Sequence, residues 1–548
     1  MRLAVDMTKC QSYAQCCFLA PESFAFQGQQ ALVYDPAPDD AHRARILQAA
    51  AACPVQAILL DRTDDRRREH PKPEVEAPAL GPEGRVVVVG ASLAGLRAAE
   101  AMRREGFRGR LTLIGDEPEE PYDRPPLSKQ VLSGWVSPES TTLPRLEELD
   151  AEWKLGVAAV GLDLDRKHVL LADGERVEFD RLLIATGTRA RPWADPAGAG
   201  LDGVFTLRTV GDARRLRERL AARPGRVLVI GGGFTGSEVA SVCRDLDLPV
   251  TLAVRGPAPL AGALGAVVGR VAGDLQRAHG VDLRCDVSVT ALEGDTDGHL
   301  RRARLSDGSV VEADVAVVAT GALRNVEWLE GSGLSSGVRG VTCDAGCRVL
   351  GLDGVARDDV FVAGDVARFP HPSFGAELLA MEHWGNAVEQ AEVAAHNLVN
   401  GREDPRAHST VPVFWSIQLG HVIKSVGVPA LADEVMITQG SVEERSFVAV
   451  YGRQGRIVAA VSFDQSTWLE HYRRLIGESA PFPPEAATVD QAADHRPRPA
   501  EVPVAQASSP VAEETDLVVT GLDPGRWSTA LRPPGTDANR IQPVPQEN

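Results

Sequence analysis

The chain has 548 residues, 44% hydrophobic and 24% charged, with 58 basic against 76 acidic side chains and a net charge of -18. That length suits roughly three or four domains, and the composition suits a folded rather than a disordered protein. A nucleic-acid binder would carry a basic excess or stripe, and neither is present. No apolar run approaches the about 18 residues of a membrane span. The opening MRLAVDMTKC lacks the apolar core of a secretory leader, so the expected compartment is the cytoplasm.

Eight cysteines are present: Cys10, Cys16, Cys17, Cys53, Cys243, Cys285, Cys343 and Cys347. In a long cytoplasmic chain they are not read as a disulfide framework. Four fall in residues 1–60, which read as a small module of their own. Cys10 and Cys16 stand six positions apart in one loop, and Cys53-Pro54 brings a third thiol from far along the chain. Bacterial iron–sulfur runs use C-x2-C-x2-C with a remote C-P; here Tyr13 stands where the middle cysteine would be. Three thiolates suit a 3Fe-4S cage. A 4Fe-4S cage with a non-cysteine fourth ligand stays open, as does Cys17 in place of Cys16. Three ordinary buried thiols are the plainer alternative, but a unit this small has little core and gains from a metal staple. The segment resembles the small single-cluster ferredoxins of actinobacteria through VDMTKC, the APE at Ala20–Glu22 and the CPVQAI at Cys53–Ile58. The resemblance implies an α+β ferredoxin-like fold.

Asp61–Gly84 is charged and Pro-rich and reads as a linker. At Arg85 the composition changes to RVVVVGASLAG, which predicts a strand over Val86–Val89, a glycine turn and a helix over Leu96–Glu105. Gly90 and Gly95 allow the tight turn and close helix packing, with Ser92 in place of a middle glycine; the helix N-terminus then faces a pyrophosphate. The next strand, Leu111–Gly115, ends at Asp116 and Glu117, placed to accept hydrogen bonds from an adenosine ribose. Leu183–Gly187 and Val317–Gly321 read as strand ends where the chain crosses between dinucleotide domains. A second turn, Gly231-Gly-Gly233-Phe-Thr-Gly236, follows RVLVI. The expectation is two related α/β modules, each a doubly wound parallel sheet. An acid after the strand Val250–Val254 would bind the ribose of NADH; Arg255 stands there instead, and its fork suits the 2′-phosphate of NADPH. If Arg255 is merely solvated, NADH is used. Residues 409–484 read as a small α+β domain, and 485–548, rich in Pro, Ala and acids, as a disordered tail.

GASLAG, PYDRPPLSK, ATGTRARP, GGGFTGSEVA, FVAGDVARF, MEHWGNAVEQ and FWSIQLG together make the stretch from Arg85 to Pro484 similar to the FAD-dependent ferredoxin reductases of bacterial oxygenase systems, such as putidaredoxin and rubredoxin reductases. The resemblance implies FAD on residues 85–208 and 331–408, nicotinamide on 209–330, and a C-terminal domain covering the flavin. It places Arg124, Lys129, Thr186, Gly187, Arg191, Gly364 and Asp365 around the flavin, Asp365 on its ribityl side. It sets Trp384 and Trp415 near the ring with Glu382 and His383, and Glu238 by Lys129 and the nicotinamide, with Gly321 alongside. Lys129, Glu238 and Trp384 are the expected catalytic residues.

Flavoprotein disulfide reductases carry a redox CxxxxC beside the first glycine turn, but no cysteine lies between Arg85 and Val242, which excludes a thiol exit for electrons. Cys343 and Cys347 come too late for that role and read as structural. The expected route is NADPH to FAD to the cluster to an outside redox protein, a monooxygenase of the cytochrome P-450 type by the resemblance. No nucleic acid or membrane insertion is expected. Two other readings stay open: an NAD(P)H oxidase or quinone reductase with the cluster as a side relay, and a redox-sensing protein whose tail recruits a partner.

Overall fold

The computed structural model describes residues 1–28, 30–61, 79–375, 377–401, 404–485 and 497–502 in full, and the backbone of 516–520 and 528–532. Most of the expected linker, residues 62–78, lies outside the described residues, as does much of the expected tail.

The first module runs strand, helix, strand, strand, helix, strand, the order of a ferredoxin-like unit. Leu3–Val5 pairs antiparallel with Ile58–Leu60, and Phe24–Gln27 with Ala31–Tyr34. The helix Gln15–Leu19 carries Cys16 and Cys17, and the helix Arg43–Ala52 ends at Cys53. Leu3, Val5, Phe24, Leu32, Ile46 and Ala49 form the core, and Trp415, from far along the chain, is buried among them.

Arg85–Val89 lies between Arg181–Ile184 and Arg110–Gly115 in a six-stranded sheet whose inner strands are parallel. The run of valines is buried on both faces, as a central parallel strand requires. The helix Leu93–Arg104 packs on Trp384–Asn400, closing one face. A second parallel sheet holds Val204–Phe205, Val315–Val318, Val227–Ile230, Val250–Ala253 and Asp282–Arg284. The C-terminal domain is an antiparallel sheet of Val413–Gln418, His421–Gly427, Arg456–Phe463, Ser446–Arg453 and Glu434–Ser441, backed by the helix Leu469–Gly477.

The disordered reading of 485–548 is corrected where those residues are described. Arg498–Pro499 pairs with Glu434–Val435 as an added edge strand, and Ala500 is buried. Asp516–Thr520 and Ser528–Arg532 form a hairpin. An open sheet edge recruits a strand through backbone hydrogen bonds, so a Pro-rich segment with no apolar periodicity can still dock there.

The first module sits on the rest of the chain through contacts that no local pattern announces. Lys424 Nζ donates to the Cys10 carbonyl at 2.8 Å, Gln30 Nε2 to the Asp464 carbonyl at 2.8 Å, and Tyr34 Oη to Asp123 Oδ2 at 3.3 Å. Arg2 pairs with Glu120 at 2.9 Å, and Asp61 Oδ1 accepts from the Arg145 amide at 3.2 Å. Gly28 takes φ +73°, and a Cβ there would lie 2.1 Å from the Gly420 carbonyl oxygen. Gly28→Ala is therefore expected to lift the module from the rest of the chain without unfolding either. Hydrogen-exchange protection should fall around Thr8, Tyr34 and Gly420 and stay unchanged in the strands Arg85–Val89 and Val227–Ile230.

Candidate active site and electron route

The first glycine turn is built as its spacing predicts. Gly90 has φ +118°, and a Cβ on it would meet the Ala185 carbonyl oxygen at 2.0 Å; one on Gly95 would lie 2.0 Å from the Gly90 carbonyl oxygen. Ser92 is the N-cap of the helix Leu93–Arg104. Together they open onto a cavity of about 210 Å³ whose wall includes Gly90, Ser92, Asp116, Glu117, Arg124 and Thr186. Arg124 Nη2 donates to Glu117 Oε1 at 2.5 Å, and its Nη1 to Tyr122 Oη at 2.8 Å and to the Arg208 carbonyl at 2.9 Å. Tyr122, Arg208 and Asn325 also line this cavity and were not expected there. Tyr122 lies inside PYDRPPLSK and could have been read from it; Arg208 carries no motif. Arg208 Nη2 bridges to Asp365 Oδ2 at 2.7 Å, which brings Asp365 to the cavity at one remove.

Thr186 and Asn325 tie the two dinucleotide modules together: Thr186 Oγ1 donates to the Asn325 carbonyl at 2.7 Å, and Asn325 Nδ2 to the Thr186 carbonyl at 2.9 Å. Gly187, at φ +61°, accepts the Asn325 amide, and Gly321, at φ +108°, accepts that of Arg191 at 3.0 Å. The Arg191 side chain is exposed and lies outside the cavity wall. Gly364, at φ +83°, donates its amide to Gln390 Oε1 at 2.9 Å. Glu382 pairs with Arg324 at 2.9 Å. Burial holds the pKa of His383 down to about 4, and its Nδ1 has no partner.

Glu238 is buried and gathers donors from three places. Lys129 Nζ reaches its Oε2 at 2.8 Å, Ser128 Oγ the same oxygen at 2.6 Å, and Ser416 Oγ its Oε1 at 2.6 Å. The second glycine turn leads into the helix that carries Glu238: Gly233 is the N-cap of Phe234–Asp245, and a Cβ on Gly236 would lie 1.9 Å from the Gly231 carbonyl oxygen. Arg255 is exposed just beyond Val250–Ala253. Arg284, which was not singled out, stands in register with Ala253 and is paired with Asp282 at 2.8 Å.

Trp384 and Trp415 lie outside the first cavity's wall, at the seam with the ferredoxin module. Their rings meet edge to face at 6.3 Å, and Trp384 Nε1 donates to Asp123 Oδ1 at 2.9 Å. Asp123 thus joins Trp384 of the reductase to Tyr34 of the ferredoxin module. Across the seam, Cys10, Tyr13, Cys16 and Cys53 line one cavity, and Cys17 is not part of its wall. Among the described residues no group of three His, Cys, Asp or Glu closes to single-ion distance. A multi-iron cage spreads its thiolates over separate corners, and a shared cavity serves that need. Burial, then the neighbouring Cys17 and Cys10, pushes the Cys16 thiol up to about 12; burial also raises Cys10, with Cys53 and Cys17 adding to it. Crowded thiols of this kind ionise together only around a cation, which fits an iron cage. The Cys53 sulfur also accepts the Ala57 amide at 3.3 Å.

A pyridine nucleotide-disulphide oxidoreductase profile matches residues 84–391, a reductase C-terminal profile 413–497, and the profile of the 4Fe-4S single cluster domain of ferredoxin I residues 5–60. Rhodocoxin reductase of Rhodococcus erythropolis is 33% identical over 405 residues, 73% of this chain and 91% of that protein. The chain belongs to the ferredoxin reductases of the pyridine nucleotide-disulphide oxidoreductase family. It is an FAD-dependent oxidoreductase with a ferredoxin domain fused at its front. The ferredoxin--NAD(+) reductase subunit of the benzene 1,2-dioxygenase system of Pseudomonas putida is also 33% identical, over 94% of its own length. Among solved structures, the covalent putidaredoxin reductase–putidaredoxin complex aligns with a TM-score of 0.68 and 29% identity, covering 73% of this ferredoxin reductase and 94% of that chain. Among the described residues no helix is long and apolar enough to cross a membrane.

Two acids at the seam make docking sensitive to pH. Burial raises Asp123 from 3.8 to about 6, partly offset by the hydrogen bonds from Trp384 and Tyr34. Burial, then Asp6 of the ferredoxin module, raises Glu389 from 4.5 to about 7, with Arg473 and Lys9 opposing. An acid whose pKa is raised in the docked state favours docking at low pH and loses that contribution as pH rises through the raised value. Docking is therefore expected to weaken from about pH 4 to pH 7, read as falling exchange protection factors at Tyr34. Glu389→Gln should flatten the upper part of that curve.

Proposed function

We propose that NADPH binds at the second glycine turn, that FAD occupies the first cavity, and that Cys10, Cys16 and Cys53 hold a 3Fe-4S cluster fed from the flavin. When bound, FAD accepts an electron pair from a nicotinamide and releases it singly, which matches a two-electron donor to a one-electron iron centre. No general acid, base or nucleophile is asked of the protein. Gly90, Ser92 and the helix behind them cradle a pyrophosphate, Glu117 and Arg124 fix one another beside it, and Glu238 holds Lys129 in place. The single observation that carries the reading is the seam: Cys10, Cys16 and Cys53 share one apolar cluster with Trp384 and Trp415 of the reductase.

Three irons are favoured because Tyr13 lines the cavity where a fourth thiolate would stand, while Cys17 does not. The matching profile, which names a 4Fe-4S cluster, favours the other reading. NADPH is favoured by Arg255, with Arg284 at the same sheet edge; the relatives named for NAD(+) favour NADH. The outside acceptor is read as an oxygenase because relatives belong to oxygenase systems, with a cytochrome P-450 monooxygenase as its specific form. A cytoplasmic setting, where thiols stay reduced, completes the reading.

Electron paramagnetic resonance on the purified protein tests the route. A signal near the free-electron value in the oxidised sample, lost on adding NADPH, is expected. A silent oxidised sample with full iron content would establish four irons, and loss of iron altogether would favour the oxidase reading. Arg255→Ala is expected to raise the KM for NADPH about tenfold while moving that for NADH less than about twofold. Equal effects on both would assign the 2′-end to NADH.

A further inference from the structure

The ferredoxin module meets the reductase with one side of its cysteine cavity and meets solvent with the other. On the reductase side, the Cys10 carbonyl accepts Lys424 Nζ, and Thr8, Gln30 and Tyr34 hold the seam. On the solvent side the wall is the stretch Tyr13–Cys16, which continues into the helix Gln15–Leu19. Tyr13 is 54% exposed there and Phe18 83%. Of the large apolar side chains left exposed among the described residues, these two border the Cys10–Cys16 loop. Neither side chain carries a charge, and within the same module Lys9 pairs with Asp6, Arg45 with Glu22, and Arg43 with Asp40.

We propose that electrons leave through this second face, to a folded acceptor protein that docks an apolar surface on Tyr13 and Phe18 while the module remains seated on the reductase. The inference rests on the reading of residues 1–61 as an electron carrier. Each passage moves one electron: the reduced cluster is oxidised and the acceptor's redox centre is reduced, and two passages discharge the pair delivered by one nicotinamide. An uncharged, aromatic patch selects a partner by apolar burial rather than by charge steering, so its use tolerates salt. A carrier with its entrance and exit on different sides has no need to detach between the two steps.

Locking the seam tests this. An ideal Cβ on Gly385 lies 3.4 Å from the Thr8 Cβ, close to the about 3.8 Å of a disulfide, so Thr8→Cys with Gly385→Cys gives a cross-link in the full chain. Cytochrome c serves as the acceptor probe at about 0.5 M salt, where surface charge is screened beyond a few ångströms. The locked chain is expected to reduce it within about twofold of the rate with Thr8→Cys alone, and Phe18→Ser to lower kcat/KM for it about tenfold. Cluster reduction by NADPH, read by electron paramagnetic resonance, should be unchanged in both. Radical footprinting should show Tyr13 and Phe18 protected when cytochrome c is added. A locked chain whose cluster is reduced but which passes nothing on overturns the inference, since the seam would then be the exit. So does protection of Phe18 that tracks the concentration of the chain itself, or that vanishes when residues 503–548 are removed. A chain whose cluster NADPH does not reduce overturns the carrier reading instead.

Discussion

A carboxylate taken out of water must have its hydrogen bonds brought to it by the protein, and two such carboxylates hold the units of this molecule together. Glu238 belongs to the nicotinamide-binding module, yet its donors come from Ser128 and Lys129 of the first module and from Ser416 of the C-terminal sheet. Asp123 belongs to the first module, yet its donors come from Trp384 and from Tyr34 of the ferredoxin domain. Glu238 takes none of these donors from its own module, and Asp123 takes one of its two from the ferredoxin domain. Both acids take hydrogen bonds that cross between units, which ties the units' relative placement where electrons must cross from one to the next.

The same economy of donors shapes the approach to the cluster cavity. Lys424 is buried, and burial lowers its pKa to about 8; its partner is the Cys10 carbonyl, across the seam. A cation supplied by the reductase thus sits beside a site that gathers thiolates. At the first cavity, Arg124 with Glu117 and Arg208 with Asp365 are already paired, so the groups that line it are positioned in advance of any ligand.

The dinucleotide turns were legible because they are local. A buried valine strand, a glycine that must take positive φ and a helix that must pack close are all written within a dozen residues, and Gly90, Gly95, Gly231 and Gly236 show the crowding that excludes a side chain. The pairing of Lys129 with Glu238 came from family resemblance, and the two side chains do meet. What stayed hidden spans the chain. Tyr34 meets Asp123, Gln30 meets Asp464 and Cys10 meets Lys424, and no periodicity connects such positions. Trp384 and Trp415, expected near a flavin ring, pack at the ferredoxin seam; the sequence signals a large aromatic without saying how many neighbours it serves. The short strand Arg498–Pro499 was missed for a different reason: its pairing depends on an open edge elsewhere, not on its own residues.

Gly28 and Gly420 approach so closely that not even a methyl group fits between them, and Tyr34 reaches down to an acid in the floor beneath. That fit has a consequence for any separate carrier. The reductase surface around Gly420 and Asp123 is already filled by the chain's own module, at a fixed one-to-one ratio that gene expression cannot alter. Fusion here works as insulation: it separates one current from the others by occupying the socket.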